Sequence, residues 1–289
     1  MTTSPLASPH ATRELLEAYG LATKHRLGQN FLVDNHVIEK IMELAALDPA
    51  DRVLEVGPGI GTLTLALLQE AAHVTSIEMD DALAPVLADH ALVHKDFTLI
   101  MGDALKVPAA EIREESGGDP DVLVANLPYN VAATIILQFF QERSSLRAAV
   151  VMVQKEVADR IAAEPGSKAY GAYTAKLALY GRVTGRFEVP PRCFMPAPHV
   201  DSAVVRIDRR PHAGEGALEL PTGLTRADVS RVIDAAFAQR RKTIRNSMAA
   251  SGFDKAALDA AFARTGIAPT ARGESLGIGE FIELARALG

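Results

Sequence analysis

Five short apolar runs, all but the third followed by a segment of helical period, constrain this chain more than any other feature: residues 53–56, 74–78, 98–101, 122–125 and 148–153. A strand that is apolar at consecutive positions has both faces buried, and such strands joined by helices form a parallel sheet covered on both sides. Helices are predicted over 62–71, 81–88 and 132–140, with another starting at Glu156. Upstream, residues 12–19 are predicted helical, and Asp34 reads as the N-cap of an amphipathic helix that turns Val37, Ile38, Ile41, Met42 and Ala45 inward. The first ten residues read as a frayed terminus.

The texture changes after a further predicted helix at 172–180. Two Val-rich stretches, 183–189 and 202–207, flank the segment PPRCFMPAPHVD and suggest an antiparallel pair closing the sheet. Residues 209–222, with Pro211, Gly214, Gly216 and Pro221, read as a linker. Beyond it the chain is helical, over 226–237, 242–250, 255–265 and 278–288. With 48% hydrophobic and 23% charged residues the chain can bury a core, which excludes wholesale disorder. A single cysteine, Cys193, excludes an intrachain disulfide framework and a Cys-based zinc cluster, and no metal is expected. No apolar h-region opens the chain and no apolar run reaches membrane-spanning length, so a cytoplasmic protein is expected.

The motifs fall at the ends of the strands. Val53-Leu54-Glu55-Val56 runs into Gly57-Pro58-Gly59-Ile60-Gly61-Thr62, a turn that lets a ligand approach a helix N-terminus or serves only as a structural turn. The dinucleotide fingerprint would need glycine at Thr62, which disfavours NAD. Glu78 ends the next strand, where a carboxylate can accept hydrogen bonds from a ribose diol; taken singly, it is an exposed strand-end acid. Asp103, after the third strand, can accept from the exocyclic amine of adenine. Ligands bind at the carboxyl ends of strands in open parallel sheets, so the three together imply an adenosine-containing cofactor.

Asn126-Leu127-Pro128-Tyr129 closes the fourth strand. Proline has no N–H and biases Leu127 toward an extended conformation, so Asn126 Oδ1 and nearby carbonyls can converge as acceptors. An aromatic amine needs acceptors of this kind, because hydrogen bonds from its N–H groups favour pyramidalisation and attack on an electrophile. Tyr129 would stack on the ring that carries the amine; alternatively it is a core aromatic beside a loop.

In order, LGQNFL, EVGPGIGTLT, IEMD, GDAL, NLPYN, QKEVADRI, SKAYG, EVPPRCF, PAPHVDSAVVR and AFAQRRKTIRNS resemble the KsgA family of small-subunit rRNA adenine N6-dimethyltransferases, over nearly the whole chain after Lys24. The resemblance implies a class I methyltransferase fold, α/β and Rossmann-like, with a mostly parallel sheet, antiparallel closing strands and a small C-terminal all-α domain. It divides the chain into an extension (1–23), a catalytic domain (24–208) and a helical RNA-binding domain (223–289). S-adenosylmethionine is the implied donor, and two adjacent adenines in the 3′-terminal stem-loop of small-subunit rRNA, in a pre-ribosomal particle, the implied substrate. The resemblance also implies a monomer. It places Gln29, Asn30 and Leu32 over the cofactor, Gly57 and Gly59 at its amino acid end, Glu78 at its ribose and Asp103 at its adenine. Asn126 would serve both sites, and Phe194, in the pattern Phe194, Pro196, Pro198, Val200, would stack on the target adenine opposite Tyr129; alternatively it is a loop anchor packed under the prolines.

The total charge is −6, but residues from Asp208 onward carry twelve basic and ten acidic side chains. Arg240, Arg241, Lys242 and Arg245 fall within six residues without an acid, either as a solvated helix face or, with Lys24 and Arg26, as phosphate contacts that position RNA without reading its sequence. Three other functions compete: a methyltransferase of large-subunit rRNA conferring macrolide resistance, a non-catalytic assembly or transcription factor on this fold, and a nicotinamide-linked dehydrogenase.

Overall fold

The computed structural model describes residues 2–21, 30–211, 214 and 216–289. Two compact units divide the chain, one of Met1–Ala158 with Val183–Arg209, the other of Asp159–Arg182 with Arg210–Gly289.

In chain order the first unit holds α1 (Pro9–Ala18), β1 (Phe31–Leu32), α2 (Asn35–Ala45), β2 (Arg52–Val56), α3 (Thr64–Leu67), β3 (His73–Glu78), α4 (Ala84–Val93), β4 (Phe97–Met101), α5 (Ala109–Ser116), β5 (Val122–Asn126), α6 (Ala132–Glu142) and β6 (Ala148–Gln154). Then come α7 (Lys155–Ile161), α8 (Ala172–Leu177), β7 (Gly181–Val189), β8 (Phe194–Met195) and β9 (Ser202–Arg209). Among the described residues the main sheet has seven strands, in the order β4-β3-β2-β5-β6-β9-β7. The first five are parallel to their neighbours, and β9 runs antiparallel to β6, with Ser202 opposite Gln154 and Asp208 opposite Ala148. The five consecutive-apolar runs are therefore the parallel strands. Val53, Val74, Val122 and Val150 are buried against Ile38, Ile41 and Met42 of α2, which Asp34 caps by accepting from His36 N at 2.9 Å. Each such aliphatic side chain contributes about 1.5–3 kcal/mol by leaving water.

Several expectations change. The helix predicted over 62–71 shortens to α3, because the chain around it closes into tighter turns: Ala66 N bonds Leu63 O, Gln69 N bonds Ala66 O and Glu70 N bonds Leu67 O. The N-terminal residues are not frayed. Ser4 N donates to Asn35 Oδ1 at 2.7 Å, Asn35 Nδ2 donates back to Ser4 O, and Leu16 of α1 is buried with Ile60, Leu83 and Leu87. The ladder of β1 and β8, with Leu32 opposite Phe194, and the helix α5 were not predicted.

The second unit adds α9 (Arg226–Phe237), α10 (Ile244–Ala250), α11 (Lys255–Thr265) and α12 (Ile278–Leu288). Thr225 and Asp228 form a capping box at the start of α9, and Asp254 caps α11 by accepting from Ala257 N at 2.8 Å. Residues 159–182 join this unit, although they were read as part of a domain spanning 24–208. Tyr170, Ala175 and Leu179 are buried with Val232, Ile233 and Phe281, and Tyr170 Oη donates to Leu276 O at 2.9 Å. Among the described residues no helix is long and apolar enough to cross a membrane.

Candidate active site

A cavity of about 330 Å³ opens at the carboxyl ends of β2, β3, β4 and β5, within the size range of small-molecule sites. Gly57, Gly59, Glu78, Asp103, Asn126, Leu127, Pro128 and Tyr129 all line it, together with Asn30 and Leu32. The structure thus brings together residues up to 99 positions apart that were singled out from sequence alone. Gln29, Lys24 and Arg26 lie outside the described residues.

The glycine turn follows β2 and is shaped by what presses on it. Gly59 has φ +62°, and a Cβ there would stand 3.2 Å from the Phe31 ring; Gly61 has φ +88°, and its Cβ would stand 2.8 Å from His90 Cδ2. Both backbones lie in the left-handed region that favours glycine, and at Gly61 the His90 ring also leaves no room for a side chain unless it shifts. His90 Nε2 donates to the Ile60 carbonyl at 3.1 Å, and burial, opposed by this bond, lowers the pKa of the imidazole. Thr62 Oγ1, buried in the same turn, has no hydrogen-bond partner among the described residues.

Glu78 Oε2 accepts from Gly59 N at 3.3 Å, and its Oε1 accepts from Met79 N at 2.8 Å and Asp80 N at 2.9 Å. Burial raises its pKa against these three bonds. A carboxylate offers about four acceptor positions, so this one can still receive hydroxyl donors. Asp103 Oδ1 accepts from Leu105 N at 3.0 Å and its Oδ2 pairs with Lys106 Nζ at 3.1 Å; the backbone bond first, then the lysine, lowers its pKa. Asn126 Nδ2 donates to Asn30 O at 3.4 Å, and no bond to its Oδ1 is made among the described residues. The amide is thereby oriented with an acceptor to offer.

Sequence reasoning missed Glu55. It lines the cavity yet is 1% exposed, and its Oε2 accepts from Thr64 Oγ1 at 2.6 Å and Ser76 Oγ at 2.7 Å. Burial is the main cause that pushes its pKa up to about 7. The available signal was a carboxylate inside an otherwise apolar strand. Phe31 and Met79, also lining the cavity, carried no comparable signal.

Phe194 does not line the cavity. It is 4% exposed in the core with Leu32, Val189 and Cys193. Its strand pairing with Leu32 holds it there. Stacking on a base would require the ring to leave that core.

The family model for ribosomal RNA adenine dimethylase matches residues 20–288. The chain belongs to this family. This adenine dimethylase is 42% identical, over 97% of its length and 95% of the relative's, to ribosomal RNA small subunit methyltransferase A of Thermobifida fusca. It is also 42% identical to the protein of that name from Streptomyces coelicolor, over 98% of this chain and 97% of the relative. A dimethyladenosine transferase from Plasmodium falciparum shares the fold, with TM-score 0.73 and 24% identity over 88% of this chain and 95% of that one. The 23S rRNA methyltransferase ErmE has TM-score 0.67 at 26% identity, over 90% of this chain and 99% of its own. The fold is that of the class I methyltransferases.

In the dimethylase's second unit the basic residues do not form one free patch. Arg245 on α10 bonds both carboxylate oxygens of Asp259 on α11, at 2.5 and 2.7 Å, and this pairing raises its pKa. Arg240 donates to Lys168 O at 2.6 Å and pairs with Glu274 at 3.3 Å. Arg241 and Lys242 are exposed on the turn between α9 and α10, with no ion pair among the described residues.

Proposed function

We propose that this chain dimethylates N6 of two adjacent adenines in the 3′-terminal stem-loop of small-subunit rRNA, acting as a monomer on a pre-ribosomal particle. The observation that carries the reading is one cavity lined both by Gly59, Glu78 and Asp103 and by Asn126-Leu127-Pro128-Tyr129. The cavity suits S-adenosylmethionine: Thr62 Oγ1 in the glycine turn is an orphaned polar atom among the described residues, and the carboxylates of Glu78 and Asp103 can meet ribose hydroxyls and an adenine amine. When bound, S-adenosylmethionine supplies a methyl group activated by its sulfonium.

The chain's own part is positioning and electrostatics. Asn126 Oδ1 accepts from the N6 amine and localises the nitrogen lone pair toward the methyl. Tyr129 supplies the face on which the flipped or splayed adenine stacks. Methyl transfer to N6 would leave that nitrogen charged and more acidic, and its proton would pass to solvent without a dedicated base, with Asn126 Oδ1 holding the amine in place. Arg241 and Lys242 neutralise backbone phosphates.

The 26% likeness to ErmE keeps a large-subunit substrate as the second reading, against 42% for small-subunit relatives over nearly full length. Incubation with labelled donor and under-methylated small and large subunits, followed by mass spectrometry of the nucleosides, decides between them. Two neighbouring dimethyladenosines in small-subunit rRNA are expected. Label only in large subunits, or in neither, would overturn the proposal.

A further inference from the structure

Tyr129 stands on the segment between β5 and α6, directly after Pro128, and its hydroxyl lies 2.8 Å from Ser202 Oγ, a residue 73 positions away. Ser202 is fully buried and opens β9 opposite Gln154 of β6. The adjoining backbone is closed by Lys155 N donating to Asp201 O at 2.9 Å. Strand β6 is in turn laddered to β5, where Asn126 faces Met152. Two successive ladders therefore set the Ser202 hydroxyl in a fixed place relative to Asn126.

The Tyr129 ring has no ladder of its own. Two side-chain torsions orient it, and its bonded hydroxyl is the point farthest from the backbone, where a single tether constrains both. We infer that Ser202 is a positioning residue for methyl transfer, holding the Tyr129 ring in the plane on which the target adenine stacks beside Asn126. The inference rests on Tyr129 being the stacking face. Ser202 is not among the residues that line the cavity; it acts through Tyr129. The competing account is a buried serine that merely finds a partner, as buried hydroxyls generally do.

The test uses the full chain, under-methylated small subunits and two variants that cut the same bond from opposite ends. Ser202→Ala removes the anchor, and Tyr129→Phe keeps the ring and removes only its hydroxyl. Each is expected to lower kcat about tenfold through loss of orientation. Affinity for S-adenosylmethionine, measured by calorimetry without RNA, should stay within about twofold, because the bond orients only the ring on the adenine side. The double variant should be no slower than the slower single variant, the sign of a shared interaction. Wild-type kcat in Tyr129→Phe, or losses that multiply in the double variant, would overturn the inference. If Ser202→Ala fails to fold, Tyr129→Phe alone decides, since it alters the partly exposed partner. A wild-type chain that leaves small subunits unmethylated would instead sink the functional reading.

Discussion

Glu55 and Ser76 are register partners on β2 and β3, and the serine hydroxyl donates to Glu55 Oε2 at 2.7 Å beneath the glycine turn. Thr64 donates to the same oxygen, yet burial outweighs both bonds and lifts the pKa from 4.5 to about 7. The folded state thus holds the proton more tightly than the unfolded chain. Stability from this group is complete below pH 4.5 and is lost as pH rises to about 7, by up to about 3 kcal/mol. Glu55→Gln keeps an acceptor for Ser76 and Thr64 and carries no charge. Its melting temperature should exceed that of the wild type at pH 8 and converge with it near pH 5. A difference that does not vary with pH would show that folding leaves Glu55 without extra proton affinity.

Gly61 and His90 compete for one volume. Gly61→Ala places a Cβ 2.8 Å from the His90 ring at φ +88°, so a loss of about 1–3 kcal/mol is expected in urea unfolding. His90→Ala removes the steric part and leaves the backbone strain. The double variant should therefore lose less than the sum of the two single losses. Additive losses would mean that the turn moves away from His90 at little cost.

Asn126→Ala removes the acceptor offered to the amine. Turnover on small subunits should fall on the order of 10²-fold, with the unfolding midpoint close to that of the wild type. Unchanged turnover would take Asn126 out of the chemistry.

Arg241→Glu together with Lys242→Glu should weaken association with under-methylated small subunits and lower the slope of log affinity against log salt by about 1–2. Arg245→Ala should leave that slope unchanged, because its guanidinium is already held by Asp259. The opposite pattern would show that RNA displaces Asp259 from Arg245.

The alternation of consecutive-apolar strands with helices, and the placing of glycine, acid and Asn-Leu-Pro-Tyr motifs at strand ends, were determined by the sequence alone. Periodicity and turn chemistry are local properties, set by neighbours within a few positions, and a parallel sheet gathers strand ends on one edge. Only the tertiary structure decided which side chains meet across that edge. Phe194 and Tyr129 are both aromatics beside prolines in sequence, yet the pairing of β1 with β8 buries the first, while the second lines the cavity. Arg241 and Arg245 belong to one basic run, and a distant carboxylate, Asp259, separates their roles. The N-terminal residues looked featureless until Ser4 met Asn35 and Leu16 met Ile60. Whether a polar group is free, paired or desolvated depends on residues far away along the chain, and that pairing exists only once the chain has folded.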